Sequence, residues 1–136
     1  MTSGPGNRSP RRWLTAWILY WIFIATLTHI PWPPGQRAGI PGADKVVHFC
    51  LYFGLAMLGV RWLSLRGARM TLGGVVLLGI LLLFYGIVDE LTQPLTQRSS
   101  SVWDWLADAI GIIAGTAFGY RLWGFSGSAN PGKGSG

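Results

Sequence analysis

The sequence predicts an all-α integral membrane bundle of four transmembrane helices, with both termini cytoplasmic. Three observations carry this expectation. First, half of the chain is hydrophobic and only 12% is charged, whereas soluble domains carry about a quarter charged residues. Second, the apolar residues come in runs of roughly twenty, the length that crosses a hydrocarbon core about 30 Å thick. Third, the 11 basic residues are distributed unevenly. In a four-pass arrangement Arg8, Arg11, Arg12, Arg61, Arg66, Arg69, Arg121 and Lys133 share one side, while Arg37, Lys45 and Arg98 share the other. That excess marks the cytoplasmic face. All five acids, Asp44, Asp89, Glu90, Asp104 and Asp108, fall on the outer side.

A chain of 136 residues makes one domain. Residues 1–12 read as a flexible cytoplasmic N-terminus, 13–123 as the four-helix transmembrane domain, and 124–136 as a flexible cytoplasmic Gly/Ser-rich tail. The net charge of +6 does not indicate nucleic acid, because the basic residues alternate with apolar runs and build no continuous patch. The single cysteine, Cys50, excludes an internal disulfide. The expected location is the cell membrane and the expected partner is its lipid.

The first helix is expected over Trp13–Ile30. Its uncharged run exceeds the roughly 7–15 residues of a signal-peptide core, and no A-x-A-like site follows. Trp13, Trp17 and Tyr20 on one flank and Trp32 on the other fit interfacial aromatic belts. Pro31, Pro33 and Pro34 stop the helix, since proline lacks the amide proton and clashes with the preceding turn. The second helix runs from about Asp44 to Leu63, with Asp44 as its cap. The third runs from about Thr71 to Gln93, where Pro94 disfavours further helix. Ser101-Val102-Trp103-Asp104 resembles a capping box that opens a fourth helix reaching about Trp123.

The chemistry gathers at the outer ends. Asp44, Lys45 and His48 share one face of the second helix. His48 is 13 residues from Arg61, which puts it about 20 Å from the inner boundary and inside the membrane. Asp104, Asp108, Gly111 and Gly115 form one stripe on the fourth helix. Asp108 is 13 residues from Arg121 and so lies at the depth of His48. A carboxylate there costs several kcal/mol unless it faces protein, water or a partner. Gly111, Gly115 and Gly119 repeat a spacing that admits a close helix neighbour, which turns the acids inward. A homodimer through Gly111 and Gly115 is the other use of that face. Asp89 and Glu90 oppose the helix dipole at the end of the third helix, and Arg98 and Lys45 are their expected basic partners. Asp89 and Asp104 are expected at the rim.

The pattern Asp44-Lys45-x-x-His48, Asp89-Glu90-x-x-Gln93, Arg98, Asp104 and Gly111 with Gly115 resembles the VanZ-like membrane proteins over Asp44–Tyr120. Asp108 stands where that pattern has an asparagine, and no glycine precedes Arg98. The resemblance implies a multi-pass protein of the cell envelope, linked to glycopeptide (teicoplanin) resistance through an outer-leaflet polar site. The residues also fit an interfacial enzyme acting on a lipid headgroup or polyprenyl-linked substrate. His48, Glu90 and Asp108 are its catalytic candidates, because a general base needs a titrating nitrogen with a carboxylate to orient it. Lys45, Arg98, Asp44, Asp89, Gln93 and Asp104 are the substrate-binding candidates, Lys45 and Arg98 by holding a phosphate. A lipid-linked cell-wall precursor or a glycopeptide is the expected ligand. No cofactor is expected, and one histidine with scattered acids assigns no metal. A proton path is disfavoured by the lack of charge in the inner half of every helix. A purely structural ion-pair network is the remaining reading.

Overall fold

The computed structural model describes residues 9–31, 42–66, 70–98 and 100–124. The expectations for Arg8, Trp32, Pro33, Pro34, Arg37, Arg69, Lys133 and the C-terminal tail lie outside the described residues. Among the described residues the chain is all-helical. Helix α1 spans Pro10–His29, α2 Ala43–Ser64, α3 Leu72–Thr92 and α4 Val102–Trp123, with a 3-10 turn at Gln93–Thr96 after α3. Two segments, α2 and α3 with its extension to Thr96, are long and apolar enough to cross a membrane.

Local chemistry explains the boundaries. Helix α1 begins three residues before Trp13, because Pro10 at its first turn has the fixed φ a helix start needs. It ends before Pro31, with Ile30 extended at φ −68° and ψ 121°, as the residue ahead of a proline must be. Helix α2 corrects the capping expectation. Its N-cap is Gly42 at φ 84°, a left-handed backbone that glycine adopts without strain, and Asp44 lies in the first turn. Thr71 caps α3 by accepting from the Gly74 N–H at 3.1 Å. The α-helix stops at Thr92 and Pro94 continues the chain as 3-10 turn to Thr96. Ser101 is the N-cap of α4, yet its hydroxyl makes no capping bond. The expected capping box is therefore not formed.

Helix α2 is central and packs against the other three. Tyr52, Leu55, Ala56 and Val60 of α2 meet Ile24 of α1, Val75, Leu78 and Leu82 of α3, and Ile112 of α4 in the core. Trp17 and Tyr20 belong to this packing and not solely to a membrane belt. The Trp17 indole donates to the Leu55 carbonyl at 3.0 Å and stacks on Trp62. The closest approach is between α2 and α4. A Cβ at Gly111 would stand 2.5 Å from the Phe49 carbonyl oxygen, and one at Gly115 2.5 Å from that of Phe53. The glycine face predicted to point inward does so, and α2 occupies it. A second copy binding at Gly111 and Gly115 would compete with α2 for the same seam.

The contacts also fix directions. His48 faces Asp108, Phe53 faces Gly115, and Val60 faces Gly119, so α2 and α4 run parallel. Thr28 meets Asp89 and Trp21 meets Tyr85, so α1 and α3 run parallel as well. Each of these pairs is antiparallel to the other, since Gly54, Gly59 and Arg61 of α2 meet Tyr20, Trp17 and Trp13 of α1 in turn. One end of the bundle therefore collects all five acids. The opposite end carries Arg61 over the Trp13 and Trp123 rings, and Arg66 over Trp62. The faces left outward are apolar. Leu72, Val76, Leu77, Ile80, Leu81, Phe84 and Leu91 of α3 are all exposed.

Candidate functional site

Helical periodicity puts the polar residues of α2 and α4 in register as two rungs. In the outer rung the Lys45 ammonium lies 3.1 Å from Asp104 Oδ1 and 3.1 Å from Asp44 Oδ2. One turn inward, His48 Nδ1 donates to Asp108 Oδ1 at 3.0 Å. Lys45 and His48 are three apart and Asp104 and Asp108 four apart, so both rungs come from the same pair of helix faces. Close approach along the glycine seam lets such short side chains meet. The inner rung is buried: His48 is 3% exposed and Asp108 0%.

Helix α3 contributes Glu90 from a third direction. Its Oε2 accepts the Ser101 backbone N–H at 2.8 Å. That N–H is an orphan at the start of α4, so Glu90 does the capping that the Ser101 hydroxyl does not. His48, Glu90 and Asp108 then present ligand-type atoms within 4.8 Å of one another. Two of their oxygens, Glu90 Oε1 and Asp108 Oδ2, are buried without a hydrogen-bond partner among the described residues. A buried acceptor left in that state costs about 1–3 kcal/mol, and more for a charged group.

The other half of the acidic end is built differently. Asp89 is 2% exposed, not at the rim as expected, and Asp104 is buried too. Asp89 Oδ1 accepts from the Thr28 hydroxyl at 3.0 Å and from the Tyr85 hydroxyl at 3.4 Å. Its Oδ2 accepts from the buried Gln93 amide at 3.4 Å. His29 closes the network, with Nε2 2.9 Å from the Thr92 hydroxyl and Nδ1 3.7 Å from Asp89 Oδ1. Of the two expected basic partners, Lys45 turns to Asp44 and Asp104, and Asp89 is held by neutral donors of α1, α3 and the 3-10 turn. Thr28, His29, Tyr85 and the Ser101 amide were missed in the sequence. The available signals were the position of Thr28 and His29 at the end of α1 and the i, i+4 spacing of Tyr85 and Asp89.

Arg98 lies in the loop between the 3-10 turn and α4, and its Nη1 donates to the Ile30 carbonyl at 3.3 Å. Burial lowers the guanidinium from its ordinary value, while the field of Asp104, Glu90, Asp89 and Asp44 acts the other way. Arg98 is thereby a cation facing the acidic end. A surface groove of about 410 Å³ lined by Phe53, Ala114, Ala117, Phe118 and Arg121 lies toward the arginine end and holds none of the predicted site residues. Compared with family models, curated proteins and solved structures, the chain matches none.

Proposed function

We propose that the chain is a VanZ-like, four-pass protein of the cell membrane, with both termini cytoplasmic, whose outer polar centre binds and acts on a phosphate-bearing lipid headgroup or polyprenyl-linked cell-wall precursor. The observation that carries this reading is the convergence of His48, Glu90 and Asp108 from three helices, with two buried carboxylate oxygens left unpartnered. A bundle that used these residues only as glue would satisfy them, since interhelical hydrogen bonds in membranes yield only about 0.6 kcal/mol on average. The membrane setting is supported by the outward apolar faces of the helices and by the gathering of most basic residues, among the described ones, at the end opposite the acids.

In this reading Asp108 fixes the His48 imidazole by its 3.0 Å bond, and His48 takes the proton of an attacking water or hydroxyl. Glu90, held at one oxygen by the Ser101 amide, keeps the other for the proton delivered to the leaving oxygen. Lys45 and Arg98 receive the phosphate charge. Lipid mass spectrometry of cells with and without the gene tests the proposal. A changed headgroup or precursor profile that Glu90→Ala reverses is the expected result, and an unchanged profile overturns it. The resemblance adds a second arm: a raised inhibitory concentration of teicoplanin on expression, lost with Glu90→Ala, would tie the lipid change to glycopeptide action.

A further inference from the structure

The geometry points to a divalent transition-metal site, of the Zn²⁺ type, formed by His48, Glu90 and Asp108. It rests on the proposed function only in using the same centre. The donor set is one imidazole nitrogen and two carboxylate oxygens, a combination that zinc accepts, and three protein ligands leave a position open for water or substrate. The three donors come from α2, α3 and α4, and their ligand-type atoms lie within 4.8 Å of one another. Donors bound to a tetrahedral zinc stand about 3.3 Å apart. His48 Nδ1 and Asp108 Oδ1 stand 3.0 Å apart, so an ion would replace the Nδ1 proton between them and draw Glu90 in from within 4.8 Å.

Two independent observations call for a cation here. Glu90 Oε1 and Asp108 Oδ2 are buried acceptors with no partner among the described residues, and both belong to the would-be ligands. Charge is also unbalanced. Five carboxylates gather at this end, whereas its fixed cations among the described residues are Lys45 and Arg98, and Lys45 is engaged by Asp44 and Asp104. A divalent ion neutralises Glu90 and Asp108 around a neutral imidazole. The outer support is already built, since the Ser101 amide orients Glu90, as second-shell bonds orient metal ligands. With an ion bound, its open position would lower the pKa of a water held there and so supply the nucleophile, its proton passing to solvent, while His48, Glu90 and Asp108 would serve as ligands.

The test uses the full-length protein purified in detergent and dialysed against micromolar Zn²⁺, with metal content read by elemental mass spectrometry. Roughly one zinc per chain is expected, retained in Thr28→Val and weakened by more than about tenfold in Glu90→Gln and Asp108→Asn. Circular dichroism checks that each variant is helical. Should either variant fail to fold, Co²⁺ titration of the unaltered chain decides, because a site of low coordination number gives strong visible absorption. No stoichiometric zinc and no such absorption overturns the site, as does equal binding by folded Glu90→Gln and Asp108→Asn. Zinc binding with an unchanged lipid profile would reject the proposed function and keep the site. A changed profile without zinc would do the reverse.

Discussion

Two buried polar networks lie side by side at one end of this bundle, and they differ in what they leave undone. Between α1 and α3, Asp89 spends both oxygens on Thr28, Tyr85 and Gln93. Where α2, α3 and α4 meet, His48 satisfies one oxygen of Asp108 and the Ser101 amide one of Glu90, and a second oxygen of each has no partner among the described residues. Burial is alike in both. A fully satisfied network rigidifies the helices it joins, whereas a buried oxygen without a partner is costly until something fills it. Both were site candidates in the sequence; under the proposed function, the comparison favours an architectural part for Asp89 and a chemical one for the His48 cluster.

The largest effect is expected at the seam that brings α2 and α4 together. Gly111→Leu would drive a side chain into the Phe49 backbone, since even its Cβ would stand 2.5 Å from that carbonyl oxygen. Backbone cannot yield as a side chain can, so α2 and α4 separate and the His48–Asp108 pair between them is lost. Folded, monodisperse yield in detergent should fall to little or nothing, and near-normal yield would show that the seam is looser than described.

The next effect separates the networks. Asp108→Asn keeps the shape of the inner rung but removes the charge that orients His48. Headgroup turnover should fall by about 10²–10⁴-fold with the melting temperature nearly unchanged. A large loss of stability with intact turnover would reverse the assignment.

Asp89→Ala probes the other side. It strands the Thr28 and Tyr85 hydroxyls and the Gln93 amide. Each buried group that loses its partner costs about 1–3 kcal/mol, and a total near 3 kcal/mol is expected after relaxation. Denaturation in detergent measures it. Zinc content per folded chain should stay at the level of the unaltered protein.

The smallest effect belongs to the outer rung. Lys45 is 41% exposed where it meets Asp44 and Asp104, and such pairs contribute little to stability. Lys45→Ala should leave the melting temperature almost where it was, while weakening binding of a phosphate headgroup several-fold in a vesicle-flotation assay. An unchanged affinity would remove Lys45 from the binding set.

Much of the fold was legible in order, because helix signals are local. The helix ends at Pro31 and near Pro94, and the two rungs at His48 and Asp108, all follow from a rise of about 1.5 Å per residue and 3.6 residues per turn. Depth counted from Arg61 and Arg121 placed His48 and Asp108 level, and in the structure they touch. The glycine stripe gave the fourth helix its inward face. The same arithmetic failed for Asp89. It could not see that Thr28 closes over the residue, since no local rule sets the rotation of α1, although Tyr85 lies one turn before Asp89 on the same helix. It failed for Ser101 as well, because the capping group is a glutamate eleven positions earlier on another helix.

The sequence by itself determined the helices, their order, the apolar exterior and the end at which the acids gather. Each of these is written in composition and in the period of one helix. Only the tertiary structure decided which acid is satisfied and which is left with an unspent oxygen. That depends on the rotation and register of four helices against one another, set by side-chain packing between residues far apart in the chain. The stretch from Asp89 to Asp108 therefore resolves into a lock, Asp89, and a centre, Glu90 and Asp108 with His48.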